Sequence, residues 1–204
     1  MTGVSRPNFE GKCLGVDPIA PPVTFIDLFA YSAGDLVGQG GWVAGVHPSL
    51  VVVSSGVVDT VAGGNADAAH EVSYPIVAPW ELRLESQVNT VASMITIVGF
   101  ELSGTHSIEV DMFVDDSANA SITVNLDGLE IMSTSDTLTL DAVRELRLTF
   151  VPGSPDELVL RNQGLILAAA PVSIGGSFHN LRIFLQSNVG TAAGFIHRVK
   201  LQPS

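Results

Sequence analysis

Positive charge is scarce in this sequence. Its 204 residues include 9 Lys and Arg against 21 Asp and Glu, which gives a formal net charge of −12. Nucleic-acid binding needs a basic face that displaces counterions from the phosphate backbone. The composition therefore predicts that nucleic acid is not a partner.

Cysteine is also scarce, and long apolar runs are missing. Cys13 is the only cysteine, so no intramolecular disulfide framework can form. No run approaches the length of a transmembrane helix, and the residues after Arg6 lack the apolar stretch of a secretion signal. We therefore expect that the protein does not associate with a membrane. We also expect that it is synthesised in the cytoplasm of a host cell.

Motifs for metal, nucleotide or nucleophilic chemistry are absent as well. The five histidines are scattered, and none stands at metal-ligand spacing from another His or from Cys13. The sequence contains neither a phosphate-binding loop nor a serine nucleophile elbow. It therefore predicts no cofactor, no metal site and no catalytic residue of these classes.

The sequence does contain apolar and polar residues in alternation, almost throughout its length after residue 23. Residues 107–114 place Ile108 and Val110 on one face of a strand, and residues 121–126 alternate in the same way. Many short alternating strands separated by Gly-rich turns are typical of antiparallel sandwiches and barrels. We therefore predict an all-β fold.

Residues 1–23 show no such alternation and are rich in Gly and Pro. We predict an extended N-terminal arm over residues 1–23 and a single β-domain over residues 24–204. Arg6 and Lys12 of the arm are the only Lys or Arg residues before Arg83, and the body is acidic, a combination that suits attachment to a negatively charged neighbour. The candidate partner-binding residues of the arm are Arg6, Phe9, Lys12, Leu14 and Ile19.

Two segments carry a family resemblance. Residues 25–42 read FIDLFAYSAGDLVGQGGW, and residues 194–201 read GFIHRVKL. They resemble the opening and closing strands of concanavalin-like (laminin-G-like) jelly-roll domains, of the kind found in tailed-phage virion proteins. The resemblance implies an antiparallel jelly-roll β-sandwich whose last strand pairs beside its first. It implies little about function, because this superfamily includes lectins, glucanases, adhesion modules and virion proteins.

One strand resembles the catalytic motif of laminarinase-type glycoside hydrolases. Their motif is E-x-D-x-E or E-x-D-x-x-E, in which the first Glu is the nucleophile and the last is the acid/base. Glu109 and Asp111 match its first two positions, but Phe113 or Val114 stands where the acid/base belongs. Asp115 would lie roughly 20 Å from Glu109 along a strand. The pattern therefore favours an ordinary strand with a polar outer face over a hydrolase site.

The main hypothesis from the sequence is a non-enzymatic structural virion protein. We expect a capsid decoration (cement) protein on the capsid surface, which binds the major capsid protein or other virion subunits through its arm. The low charge and the positive mean hydropathy of +0.39 indicate apolar surface covered by sister subunits. Closed symmetry then favours a homo-oligomer, and a trimer fits three-fold capsid positions.

Two alternatives remain open. The first is a lectin-like glycan-binding module on a phage fibre or bacterial surface. Tyr74, Pro79 and Trp80 could form a stacking platform for sugars in it, but aromatic residues are only 6% of the chain, which favours a role for these residues in core packing or an interface. The second is a laminarinase-like glycoside hydrolase, which the missing acid/base carboxylate disfavours.

Overall fold

A computed structural model describes residues 25–46, 48–59, 64–72, 76–88, 93–102, 106–114, 119–137, 139–174, 177–178, 181–189 and 194–203. Within these ranges the chain forms β-strands and turns and contains no helix, so none of the described segments is a helix that could span a membrane. The strands are β1 Phe25–Asp27, β2 Gly34–Asp35, β3 Trp42–Val43, β4 Val51–Ser54, β5 Val57–Asp59, β6 Gly64–Val72, β7 Ile76–Val77, β8 Trp80–Val88, β9 Ser93–Leu102, β10 His106–Val114, β11 Asn119–Leu126, β12 Leu129–Thr137, β13 Val143–Val151, β14 Asp156–Asn162, β15 Leu165–Val172, β16 Ser177–Phe178, β17 Leu181–Val189 and β18 Gly194–Pro203.

Two large antiparallel sheets pack face to face. The first sheet has nine strands in the order β15-β14-β13-β8-β18-β5-β4-β2, with β1 also paired to β18. The second has seven strands in the order β12-β11-β10-β9-β17-β6-β3, and β7 and β16 form a separate short ribbon. This confirms the predicted antiparallel jelly-roll β-sandwich. The pairing of Phe25 with Leu201 also places the last strand beside the first, as the resemblance implied.

The core lies between the two inner faces and is built by alternation. On β10 the side chains of Ile108, Val110 and Met112 are buried, and the residues between them face outward. From the first sheet, Trp80 stacks on Phe150 with ring centroids 5.5 Å apart. Each large apolar side chain buried in this way contributes about 1.5–3 kcal/mol of transfer free energy, so the inner faces account for the fold.

A buried carboxylate organises the opening segment. Asp27 is 6% exposed; its Oδ1 accepts the Phe29 N–H at 2.7 Å, and its Oδ2 accepts the Tyr31 hydroxyl and the Trp42 indole N–H, both at 2.6 Å. These donors offset the cost of burying a charge. Burial, together with the hydrogen bond to Asp27 and its charge, raises the pKa of Tyr31 well above its ordinary value.

The glycines of this segment are explained by the same cluster. Gly40 has φ +55°, and a Cβ there would run into the Tyr31 ring. Gly41 has φ +90°, and a Cβ there would come within 2.8 Å of His70 Nε2. Glycine is the residue that accepts both constraints, so this glycine cluster serves the fold.

Candidate functional site

One continuous row of register partners crosses all seven strands of the second sheet and includes Glu109, which lies on the outer face. We call it the Glu109 row. From β12 to β3 its members are Glu130, Asn125, Glu109, Gly99, Phe184, Ala69 and Val43. Glu109 stands on the third strand from the β12 edge, so the sheet extends on both sides of its carboxylate.

A second carboxylate shares the face with Glu109. Asp111 follows two residues later on β10, which puts the two Cα atoms about 7 Å apart. Glu109 is half-buried, and its pKa is raised by that burial and by the negative charge of Asp111. Asn125 Nδ2 donates a 2.7 Å hydrogen bond to Asp111 Oδ2 and so orients that carboxylate. The pair combines a carboxyl that holds its proton more readily with an oriented neighbour.

Two β-bulges flank this pair at the same level of the sheet. On β9 the register shifts opposite Val110 and Asp111, and on β12 it shifts opposite Val124 and Asn125. Each bulge therefore lies between the Glu109 row and the row that contains Asp111. Bulges bend a strand and redirect its side chains, and they are over-represented next to active sites.

The face beyond Asp111 is neutral and rich in hydroxyl groups. Asp111 pairs with Thr123, which pairs with Ser133, and the next row pairs Ser121 with Ser135. The three serines are exposed, and a hydroxyl both donates and accepts hydrogen bonds. Strands β10, β11 and β12 contain no Lys or Arg. This surface suits a neutral, hydroxyl-rich ligand better than an anionic one.

Hydrogen bonds to Asp127 fix the start of β10 against the β11–β12 hairpin. His106 Nδ1 lies 2.9 Å from Asp127 Oδ2, and the Ser107 N–H donates to Asp127 Oδ1 at 2.9 Å. The hydrogen bonds from His106 and Ser107 hold the pKa of Asp127 below its ordinary value. These contacts anchor the strand that carries Glu109 and Asp111.

The structure shows where some of the candidate residues from the sequence lie. Glu109 and Asp111 lie on the polar outer face of a strand, as their spacing predicted. Trp80 is 1% exposed and belongs to the core, as favoured from the sequence, so it does not form a stacking platform for sugars. Asp115 and Tyr74 lie outside the described residues.

The partner-binding candidates Arg6, Phe9, Lys12, Leu14 and Ile19 also precede the first described residue. Their role stays a prediction, and so does the oligomeric state. Among the described residues, no group of three or more His, Cys, Asp or Glu side chains could hold a metal ion.

Sequence reasoning missed Asn125 and Gly99 as parts of this face. Both lie on strands that the alternation predicted, but their position beside Glu109 depends on the register between strands. The alternation within a single strand does not fix that register between strands.

No protein family matches the sequence, and no curated protein does. Solved structures do match its fold. An endo-acting O-glycanase from human gut microbiota, described as initiating mucin breakdown, has a TM-score of 0.65 at 11% identity over 87% of this chain and 98% of its own. The endo-β-1,3-glucanase of Pyrococcus furiosus has a TM-score of 0.65 at 9% identity over 88% and 93%. The carbohydrate recognition domain of Emp46p has a TM-score of 0.57 at 16% identity over 84% and 88%.

These likenesses show that the chain has the concanavalin-like jelly-roll fold, and they correct two predictions. The prediction of a structural virion protein that decorates a capsid is wrong, and so is the prediction that the chain is not an enzyme. The structures that share its fold are mostly glycoside hydrolases, with some carbohydrate recognition domains. The phage and capsid setting has no support among them. At identities of 9–16% the likeness establishes the fold alone.

Proposed function

We propose that the chain is a glycoside hydrolase that binds a neutral glycan across the outer face of the second sheet and cleaves it at Glu109 and Asp111. The observation that carries the proposal is the half-buried Glu109, whose pKa is raised beside the oriented carboxylate of Asp111. Glycosidases place two neighbouring carboxyl groups in environments that shift their pKa values apart, so that one acts as the acid and the other as the base.

The two carboxyl groups would divide the reaction between them. Protonated Glu109 gives its proton to the glycosidic oxygen as the bond from that oxygen to the anomeric carbon breaks. Asp111 accepts a proton from a water molecule whose oxygen forms the new bond to the same carbon. This is the single-displacement reaction, which needs carboxyl groups about 6.5–9.5 Å apart. The spacing of about 7 Å between the two Cα atoms is compatible with that separation.

The chain departs here from the laminarinase motif that it resembles. In that motif the first Glu is the nucleophile and a later Glu is the acid/base. Phe113 and Val114 occupy the later positions, so the second carboxyl group of this chain is Asp111. The expected product therefore has inverted anomeric configuration, which NMR spectroscopy of the fresh hydrolysate measures directly.

The substrate class follows from the surface and from the fold relatives. Hydroxyl and amide side chains surround the carboxylates, and β10 to β12 contain no cation, which favours an uncharged polysaccharide. The similar structures include enzymes named for β-1,3-glucan, for β-1,3-1,4-glucan and for mucin O-glycans. These three polymers form the test panel.

The decisive variant is Glu109→Gln, which keeps the shape and removes the proton donor. We expect the release of reducing ends to fall by about 10²–10⁴-fold, the usual contribution of a general acid. Glu157→Gln is the matched control, because Glu157 is exposed and lies on β14 of the other sheet. Equal hydrolysis by wild type and Glu109→Gln would refute the assignment of Glu109.

A second candidate is glycan recognition without cleavage. The apolar residues at 113 and 114 and the likeness to the Emp46p carbohydrate recognition domain favour it. Calorimetric titration of the same panel separates the two functions. A wild-type protein that binds a glycan and releases no reducing ends would leave recognition as the function of this face, and one that neither binds nor cleaves would refute both.

A further inference from the structure

Positive charge is concentrated on the outer face of the first sheet. Four cations on this face are register partners on four adjacent strands: Lys200 on β18, Arg83 on β8, Arg147 on β13 and Arg161 on β14. We call these four residues the cation row. Like charges on directly opposite residues destabilise a sheet. A chain with a net charge of −12 and 9 Lys and Arg residues therefore maintains a row of cations that strand pairing disfavours.

Two carboxylates orient the two central guanidinium groups of the row. Arg83 Nε donates to Glu81 Oε1 at 2.5 Å, and Arg147 donates to Glu145 Oε1 at 2.6 Å. The side chains of Arg83 and Arg147 are still 26% and 24% exposed. A guanidinium group has five N–H donors in a fixed planar fork, and two carboxylate contacts do not use them all. Both groups are therefore held in place and still reach solvent.

The two outer cations of the row have no carboxylate partner among the residues that the structure describes. Arg161 donates to the Thr149 hydroxyl at 3.2 Å, and both Arg161 and Lys200 are partly exposed. Adjacent strands lie about 4.8 Å apart, so Arg161 and Lys200 stand about 14 Å apart at the backbone. A row of this kind suits a linear polyanion that lies across the strands, because guanidinium groups bind carboxylates in a directed way.

Exposed apolar side chains extend the row at both ends. Ile26 on β1 pairs with Lys200 and is 50% exposed, and Ile166 on β15 pairs with Arg161 and is 63% exposed. The matching ligand carries a negative charge and an apolar surface on its repeating unit. A uronic acid ring has both, because it combines a carboxylate with a face of C–H groups, and its length is close to the spacing between strands.

We propose that the cation row binds a linear polysaccharide of uronic acids, with successive rings over successive strands. The surface lies on the first sheet, whereas Glu109 and Asp111 lie on the second. The inference therefore goes beyond the proposed function and does not depend on cleavage at Glu109.

Polygalacturonate tests the inference, and its methyl ester is the matched ligand because it keeps the chain and removes the charge. We expect wild type to bind polygalacturonate, to bind the ester at least about tenfold more weakly, and to lose affinity as NaCl is raised because exposed charges are screened. Calorimetric titration measures affinity, and thermal unfolding followed by circular dichroism measures stability.

The decisive variant is Arg161→Gln/Lys200→Gln, which removes the two outer charges. We expect it to melt with wild type and to bind polygalacturonate at least about tenfold more weakly, because hydrogen bonds from charged groups are lost. Ser133→Asp/Ser135→Asp is the matched control: it changes the net charge by the same amount at exposed positions of the other sheet. We expect its affinity to stay within about twofold of wild type.

Several outcomes would overturn the inference. Wild type that does not bind polygalacturonate, or binds the ester equally well, would refute it and leave the proposed function untouched. A control variant as weak as Arg161→Gln/Lys200→Gln would show that net charge alone matters. Equally tight binding of poly-glutamate or of DNA would assign the row to an acidic protein or to nucleic acid instead. If the double variant does not fold, Lys200→Gln alone and the NaCl titration of wild type decide, and an affinity that neither change lowers would refute the inference.

Discussion

Removing the carboxylate of Asp27 should destabilise the whole sandwich. In Asp27→Ala the N–H of Phe29, the hydroxyl of Tyr31 and the indole N–H of Trp42 all lose their acceptor. Trp42 is 1% exposed, so water cannot replace the carboxylate at the indole. Hydrogen bonds to a charged group contribute about 1.5–3 kcal/mol each, and part of that sum is recovered because the charge is no longer buried.

The net loss that we expect for Asp27→Ala is about 3–5 kcal/mol, the range for breaking a buried charged contact. For a domain of this size each kcal/mol lowers the melting temperature by about 2–4 °C, so the variant should melt about 6–20 °C lower. Asp27→Asn keeps the shape and one acceptor oxygen, and we expect it to lose about 1–3 kcal/mol. Urea unfolding and calorimetry measure both values.

Tyr31 supplies an independent check through pH. Its pKa is raised above the ordinary value of 10.0 in the folded protein, so above pH 10 the unfolded chain loses this proton while the folded chain keeps it. Tyr31 therefore makes its full contribution to the free energy of unfolding below pH 10, and this contribution declines as the pH rises further. Tyr31→Phe should lack this part of the decline.

Two results would refute this reasoning about the opening segment. One is an Asp27→Ala variant that unfolds within about 1 kcal/mol of wild type, the net value of an ordinary hydrogen bond. The other is a Tyr31→Phe variant with the same alkaline decline as wild type. Either result would mean that the carboxylate does not organise this segment.

Two further predictions concern the second sheet. Asp136→Ala should lower the free energy of unfolding by about 2–3 kcal/mol, measured by urea unfolding. Asp136 accepts a 3.2 Å hydrogen bond from Arg144, whose side chain is 11% exposed and would lose this charged partner. An unchanged unfolding midpoint would contradict this. Asp111→Asn should lower the pKa of Glu109, because it removes the negative charge that raises this pKa together with burial. An NMR titration that gives the same Glu109 pKa in wild type and variant would contradict this.

The strands that the sequence predicted are those with β-branched residues in alternation. Strand β6 was not among them, because its sequence GNADAAHEV is rich in residues with low strand propensity. The structure makes it a strand because β17 and β3 pair with it on both sides. Ala66 and Ala68 are buried there, so small residues fit where the two sheets pack closely. Tertiary pairing thus overrides local preference at this position.

The candidate site was predictable along one strand and not across strands. Alternation alone places Glu109 and Asp111 on one face, since residues two apart in a strand share a side. The contact from Asn125 to Asp111 requires the register of β10 against β11. A shift of one residue would turn every side chain of β11 to the other face, and no local pattern in the connection selects between the two.

The pKa values of Glu145 on the first sheet and of Glu109 on the second sheet are shifted in opposite directions. On the first sheet, Arg147 and Arg83 hold the pKa of Glu145 below its ordinary value even though burial opposes them. On the second sheet, burial and a like charge raise the pKa of Glu109 instead. A raised pKa means that the folded protein holds Glu109 in an environment that disfavours its charge, which costs stability at neutral pH. Proteins accept such local conflicts mainly at functional sites. The contrast between Glu145 and Glu109, together with the hydrogen bond from Asn125 that orients the neighbouring Asp111, supports placing the chemistry at Glu109.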